Sequence, residues 1–519
     1  MKLSILLLLG VLSSTYGYHI LVSFIIPSHS HNQLGKGIVD ALLKAGHTVS
    51  WITPFPDKVG KNPPKNLNII DVSHVQELAN VDMTDSKFAN AGISFVKEFA
   101  TNVTIGVYTS QNVKDVIVKT QFDAVITELF FSDTIAGLAA VLKVPWILMS
   151  AIQLMPGVES QVDEIRSPNT IPLAIHEASI PMTLKERVVN LGISAAMTVS
   201  NWISWSDTEA LYQRLFAPLA AARNVELPPF ADAFYNVSIL FLNAHESLFP
   251  AFSVPPNVIG IAGFHIEENP PPLPKDLQDL LDKSKQGVIY FSLGSVVRSA
   301  ALPPHTRKAI LAKFAALPYT VLWKFEEEIK DLPPNVYVRK WMPQPSILVH
   351  PNVKVFITHG GQLSCLEAIW SGVPLLAIPV FGDQPFNAER AKQSGFAQRV
   401  TFGPDMADEL DEKLREILNN PAYTERVKFL SMLFRDRPVP PSKLVSYYTE
   451  LAIKSKGAYH LRSPSLQYSW VQRSMFDVLL LAVVVLAIIF TLLRLAVRTC
   501  FRIICGKSST TPNLKKKTN

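Results

Sequence analysis

Two stretches of alternating strand-like and helix-like sequence, separated by a proline-rich break, constrain this chain more than any other feature. The first opens with an apolar, β-branched run at 18–26, a segment of helical spacing at 34–44 and a second strand-like run at 47–53. A further unit follows at 124–127, 134–142 and 144–149. Parallel strands need a crossover connection, so alternation of this kind leads to parallel sheets covered by helices. From 255 to 285 the pattern dissolves into charged, Pro-rich sequence, including Asn269-Pro-Pro-Pro-Leu-Pro-Lys275, and a linker is expected there. Alternation resumes at 287–293 and continues through 400. A length of 519 residues, 48% of them hydrophobic, suffices for two cores of ordinary domain size. No repeat is visible, and neither G-x-G-x-x-G nor a Walker lysine loop is present, which removes the main support for dinucleotide and P-loop chemistry.

The two ends of the chain read as targeting and anchoring segments. Met1-Lys2, the apolar run at 3–12 and the small residues around Gly17 have the three-part form of a secretory signal, with cleavage expected after Gly17. A first core strand is the competing reading, but 18–26 already supplies one. Near the other end, 478–493 is apolar except for Thr491, and 475–497 makes a bilayer span with Asp477 and Arg494 at its edges. Arg494, Arg498, Arg502 and Lys507 follow it, the pattern of a cytosolic flank, so the body is expected in the lumen and 498–519 in the cytosol. Lys516-Lys517 near the C-terminus matches the di-lysine signal for retrieval to the endoplasmic reticulum, making a single-pass type I protein of that membrane the expectation. Asn102-Val-Thr104 and Asn236-Val-Ser238 are glycosylation sequons that suit a lumenal body. Only Cys365 of three cysteines lies in that body, so no internal disulfide or thiolate metal site is expected. The net charge of +6 is concentrated in 494–519, which holds seven basic residues and no acid, and the remainder sums to −1. Nucleic acid is therefore not an expected partner.

Polar and glycine residues suited to a ligand cluster at 341–389, where W-M-P-Q, then T-H-G-G-Q-L-S-C-L-E, then F-G-D-Q-P-F-N-A-E succeed one another. The run at 353–358 is of strand type, and His359-Gly360-Gly361 lies between it and a helical segment at 363–370. Glycines let a backbone approach a ligand closely, and a helix start offers free N–H groups and a positive dipole end, so this turn suits a phosphate. Glu367, about two helical turns on, could accept hydrogen bonds from ribose hydroxyls. Trp341 offers a flat face to a base, and Gln344 can both donate and accept. Asp383 and Gln384 follow a strand at 375–380, at the end where ligands of open α/β sheets collect. Taken singly, each has a plain reading: a packing tryptophan, a polar turn, a glycine loop. Taken in order, they fit one nucleotide sugar.

Over these roughly fifty residues the block resembles the signature of the UDP-glycosyltransferase family, the UDP-glucuronosyltransferase relatives, and the resemblance runs from Tyr18 to the C-terminus with most similarity to insect members. It implies an α/β protein of the GT-B fold, two facing Rossmann-like domains with a cleft between them. The acceptor-binding domain would be 18–254 and the UDP-sugar domain 286–474, followed by one transmembrane helix at 475–497. In that family Trp341 would stack on uracil and Gln344 bond its edge. His359, Gly360 and Gly361 would hold the diphosphate with Ser295 of the F-S-L-G-S turn, Glu367 would take the ribose, and Asp383 and Gln384 the sugar. Leu363 stands where vertebrate members carry Asn, and its side chain cannot bond an oxygen, so contact there falls to backbone or to Ser364. The UDP-sugar would be a co-substrate, and no cofactor is implied.

Glycosyl transfer to a hydroxyl needs a base, and the loop Pro27-Ser28-His29-Ser30-His31 places His31 at or just before a helix start, where the dipole should favour a neutral imidazole. Spacing alone leaves a solvated loop histidine as the plainer reading. The resemblance favours catalysis, because Ser30-His31 precedes Gly46-His47 as in the family, with His29 as second claimant. A carboxylate should fix its tautomer. An ungapped alignment from Phe122-Asp123 puts Glu128 at the family's aspartate position, whereas insect members favour Asp133, the residue preferred here; Asp133 could equally be a helix N-cap. The resulting expectation is an inverting transferase acting on a small lipophilic acceptor, with no Asp-x-Asp or His-rich cluster to suggest a divalent ion. Phe95, Phe99, Phe130, Phe131, Trp146 and Met149 supply apolar surface, most of it expected in the core. UDP-glucose is the first donor choice, ahead of UDP-glucuronate and UDP-galactose. Homo- and hetero-oligomers both stay open, as do two alternatives: a UDP-sugar-binding partner subunit without turnover, and a glycosidase using Glu128 and Asp133 as its acid pair.

Overall fold

The computed structural model describes residues 17–60, 62–79, 86–154, 158–163, 168–173, 175–251, 253–295 and 297–505. The expected leader, Gly17 apart, and the tail beyond Cys505 with its lysine pair lie outside the described residues. Two compact units divide at Arg462 and Ser463.

In the first unit the apolar, β-branched runs become strands, the central ones buried on both faces and the edge strands partly exposed. Seven of them, β1 (His19–Ser23), β2 (Thr48–Thr53), β3 (Leu67–Asp71), β4 (Ala124–Leu129), β5 (Trp146–Ser150), β6 (Val237–Leu242) and β7 (Val258–Gly260), pair in parallel in the order β3-β2-β1-β4-β5-β6-β7. Six more, β8 (Val288–Ser292), β9 (Thr320–Lys324), β10 (Val336–Arg339), β11 (Val353–Thr358), β12 (Leu375–Ala377) and β13 (Ala397–Arg399), form a second parallel sheet ordered β10-β9-β8-β11-β12-β13. Each order reverses once, between β1 and β4 and between β8 and β11. Connections leave these neighbouring strands toward opposite faces, which opens a crevice at their carboxyl ends.

The helices that concern the site and its surroundings are α1 (His29–Lys44), α2 (Leu184–Ile203), α3 (Gln344–Leu348), α4 (Gln362–Ser371), α5 (Gln384–Gln393) and α6 (Pro441–Lys454). α6 returns from the second domain onto the first: Val445 and Ala452 are buried in the same apolar cluster as Ile20, Val22, Ile38 and Trp51. Leu363 of α4 packs against that cluster too, and Gln362 Nε2 donates to the Asn243 carbonyl. The two domains are thus joined at the base of α4 as well as by the chain.

The stretch 255–285, expected as a linker, contains two short elements. Val258-Ile259-Gly260 adds the edge strand β7 beside β6, and Lys275–Lys283 is a helix whose Leu277 and Leu281, four apart, are buried. Proline content masked a three-residue strand and one short amphipathic helix. The second unit, from Ser463, contains α7 (Phe476–Cys505), 30 residues with no buried side chain, longer than the 475–497 expected. Among the described residues it is the one helix long and apolar enough to cross a membrane.

Because α6 completes the first domain's core, Val445→Asp should destabilise the protein by roughly 3–5 kcal/mol through an unpaired buried charge. Thermal unfolding of the full chain, with a clearly lowered midpoint, is the check.

Candidate active site

β1 and β4 are neighbours, and the helix that follows β1 and the end of β4 each deliver one side chain to the first crevice. The chain leaves β1 through 24–28, and α1 begins at His29, so His31 sits in its first turn. Glu128 lies near the end of β4 with its side chain 1% exposed, and its Oε1 accepts a short hydrogen bond from His31 Nδ1. With Nδ1–H engaged, Nε2 is the nitrogen left for a ligand. The ring of Phe130 meets the imidazole edge-on, centroids 4.9 Å apart.

Burial alone would depress the His31 pKa, but the charge and hydrogen bond of Glu128, and then the charge of Asp383, outweigh it and hold it above the ordinary histidine value. The helix dipole, expected to favour the neutral imidazole, is here opposed by an adjacent carboxylate whose charge and hydrogen bond act the other way. The preference for Asp133 is corrected as well. Asp133 opens the short 3₁₀ turn Asp133–Ile135, no hydrogen bond joins it to His31, and burial raises its carboxyl against the charge of Lys97. An extended strand aims Glu128 into the crevice, whereas the loop 130–132 carries Asp133 past it. His29 is exposed and stacks on Phe55 at 4.7 Å.

The second crevice is lined from β8, β9, β11 and the helices that follow. The turn after β11 needs its glycines: Gly360 has φ +81°, and a Cβ on Gly361 would stand 2.5 Å from His359 Nε2. Gly294 (φ +85°), in the turn after β8, faces the same ring, its Cβ position 2.7 Å from His359 Cε1. His359 is thus clasped between two backbone turns. Burial, then the nearby Lys324 cation, lower its pKa to about 4, so it is neutral near pH 7. Ser295 is exposed in the turn after β8.

Trp341, in the loop before α3, is 70% exposed, an open face rather than a packing residue. Gln344 Nε2 donates to Glu367 Oε2 at 2.6 Å and to Ser364 Oγ at 3.3 Å, tying three of the expected residues into one cluster. Burial lifts the Glu367 pKa to about 7 against the hydrogen bond from Gln344. Asp383, before α5, accepts from Asn387 Nδ2 at 2.6 Å, and burial raises its pKa. Gln384 is buried, and its Oε1 accepts from the backbone N–H of Val380 at 2.9 Å and of Phe381 at 3.2 Å. That oxygen shapes the turn, so only the amide nitrogen of Gln384 is left for a sugar.

Two residues escaped the sequence reading. Gln33, on α1 of the first domain, lies near enough to Glu367 of the second to oppose the effect of burial on its carboxyl. Lys324, the charged residue ending the apolar β9, donates to the Gly294 carbonyl and to Glu326 Oε1, each at 2.8 Å, and its charge is felt by both His359 and His29. A lone cation at the carboxyl end of an apolar strand was the available signal for it.

Comparison with known proteins bears on the family and the fold. Residues 24–510 match the family model described as "UDP-glucoronosyl and UDP-glucosyl transferase". The chain belongs to the UDP-glycosyltransferase family. UDP-glucosyltransferase 2 of Dactylopius coccus is 33% identical over 92% of both chains, and UDP-glucuronosyltransferase 1A7 of Rattus norvegicus is 28% identical over 98% of this chain and 97% of its own. Among solved structures, the calicheamicin glycosyltransferase CalG4 superposes with a TM-score of 0.53 at 18% identity, covering 86% of this chain and 98% of its own, which supports the fold alone. As a UDP-glycosyltransferase of GT-B fold, the protein is an enzyme that transfers a sugar from a UDP-sugar.

The elevated Glu367 pKa has a consequence for nucleotide affinity in such an enzyme. If Glu367 is the ribose acceptor expected from the sequence, ribose hydroxyls would donate to its ionised form, so UDP binding should weaken as pH falls through about 7. UDP's own phosphate titrates in both proteins, so the difference between wild type and Glu367→Gln isolates the carboxylate. Calorimetric titration from pH 6 to 8 should show the variant losing part of the pH dependence.

Proposed function

We propose that this UDP-glycosyltransferase moves a hexose, glucose first among the candidates, to the hydroxyl of a small lipophilic acceptor, with inversion at the anomeric carbon. The observation that carries the reading is the pairing of His31 with Glu128 within the electrostatic reach of Asp383, which joins a base on the first domain to a sugar-binding residue on the second. The acceptor O–H gives its proton to His31 Nε2. Its oxygen bonds the anomeric carbon as the bond from that carbon to the UDP oxygen breaks, and UDP leaves with the electron pair. Glu128 stabilises the imidazolium formed, as the carboxylate does in other His–carboxylate pairs.

On the donor side Trp341 stacks on the base and Gln344 bonds its edge. Glu367 takes the ribose, and Ser364 is a polar neighbour of both. The diphosphate lies at the turns of Ser295 and His359-Gly360-Gly361, with the Lys324 cation opposing the negative charge that develops on the leaving group. Asp383 and the Gln384 amide hold the hexose. A neutral hexose suits this setting better than glucuronate, whose carboxylate would meet Asp383 and Glu128. No metal has a role in this scheme. The body is proposed to face the lumen of the endoplasmic reticulum with α7 as its anchor, a reading supported by the apolar length of that helix.

The non-catalytic partner reading drew its weight from a His31 without a carboxylate, and Glu128 removes that premise. The glycosidase reading loses Glu128 as a free acid for the same reason. Microsomes bearing the full-length protein, given radiolabelled UDP-glucose or UDP-glucuronate and a panel of phenols, should yield a glycoside. His31→Ala should lower turnover by roughly 10²–10⁴-fold while UDP binding persists. No product from wild type with any pair of substrates would sink the transferase mechanism.

A further inference from the structure

Helix α2 buries a single polar side chain and leaves an apolar stripe exposed. Its one buried side chain is Asn190, whose Oδ1 accepts from the Leu173 N–H and lies against His176 Nδ1, both at 2.9 Å, while its Nδ2 donates to the Ile171 carbonyl at 3.0 Å. That polar peg fastens the helix to the loop beneath it. On the surface, Leu184, Val188, Leu191, Ala195, Val199 and Trp202 recur at intervals of four, three, four, four and three residues, which places them in one stripe along the helix. Leu184 is 74% exposed, Val188 63%, Leu191 54%, Val199 52% and Trp202 78%. The helix is well formed: Thr183 and Glu186 make a reciprocal capping box at its start. An apolar stripe on a firmly capped helix, turned away from the protein, calls for an apolar medium outside it.

The charges say which medium. Lys185 and Arg187 are exposed in the first turn, at the positive end of the helix dipole, and among the described residues neither enters an ion pair. Cations so placed favour an anionic counterpart from outside. A second copy of α2 does not offer one, because the only acid on the helix, Glu186, is bound into its cap by Ser179 and Thr183. Trp202 closes the stripe at the other end, an amphipathic ring of the kind that settles at a membrane–water boundary. The same chain also carries α7, a helix of bilayer-spanning length. We propose that α2 is a lipid-contact surface, lying in the interface of a bilayer leaflet with its apolar stripe in the acyl boundary and Lys185 and Arg187 among anionic headgroups.

The test uses the full chain in nanodiscs of phosphatidylcholine and phosphatidylserine with brominated acyl chains, which quench tryptophan by contact. The protein has eight tryptophans. If Trp202 lies in lipid, Trp202→Phe removes a quenched emitter and the quenched fraction of the remaining fluorescence falls. If Trp202 lies in water, the same change removes an unquenched emitter and the quenched fraction rises, which overturns the proposal. A second variant guards against misfolding at position 202. With Val199→p-benzoylphenylalanine, irradiation should give lipid adducts; chain dimers, or no adduct at all, would contradict the lipid surface.

Discussion

The reversal of strand order in each sheet is the constraint on which the site depends. Two adjacent parallel strands whose connections part to opposite faces leave their carboxyl ends uncovered, and the functional side chains stand at those ends. The helix that follows β1 presents His31 and β4 presents Glu128; β8 and β11 lead into the turns of Gly294 and of His359-Gly360-Gly361. Residues 97 positions apart meet in one hydrogen bond because their strands are neighbours in the sheet.

Two domains make one site only when they are held together, and here the joint runs through the donor helix itself. Gln362 and Leu363, the first residues of α4, bind the first domain, while Ser364 and Glu367 on the same helix serve the second. Leu363 therefore exchanges a polar donor contact for apolar packing across the joint. Gln33 of the first domain lies near Glu367 of the second. A shift of α4 would move the nucleotide cluster and the domain joint together, which couples donor binding to the geometry around His31.

Much of this was legible in the residues. The strand at 353–358, the glycine turn and the following helix can be read locally, since β-branched run, glycines and helical spacing are neighbours in the chain. The two-sheet architecture follows from alternation for the same reason. What could not be read depends on contacts distant in sequence. Glu128 and Asp133 are both carboxylates close behind a strand, and only the direction in which β4 points its side chains separates them. Gln33 acquires meaning only when the domains meet. The outward stripe of α2 has the spacing of an ordinary buried face, and periodicity gives no sign of which side faces the protein. Strand β7 was hidden because three residues flanked by prolines carry too little pattern.

The central claim is that Glu128 sets the protonation of His31 and that His31 is the base. The most direct measurement is the pH profile of kcat/KM for wild type and Glu128→Gln, both with the acceptor that wild type glycosylates. His31 must be neutral to accept a proton, so activity should rise with pH through a pKa above the ordinary histidine value in wild type. Removing the carboxylate leaves burial to act on the imidazole, so the acid limb should move to lower pH while the plateau falls. An acid limb that stays in place in Glu128→Gln would contradict the pairing as the source of catalysis.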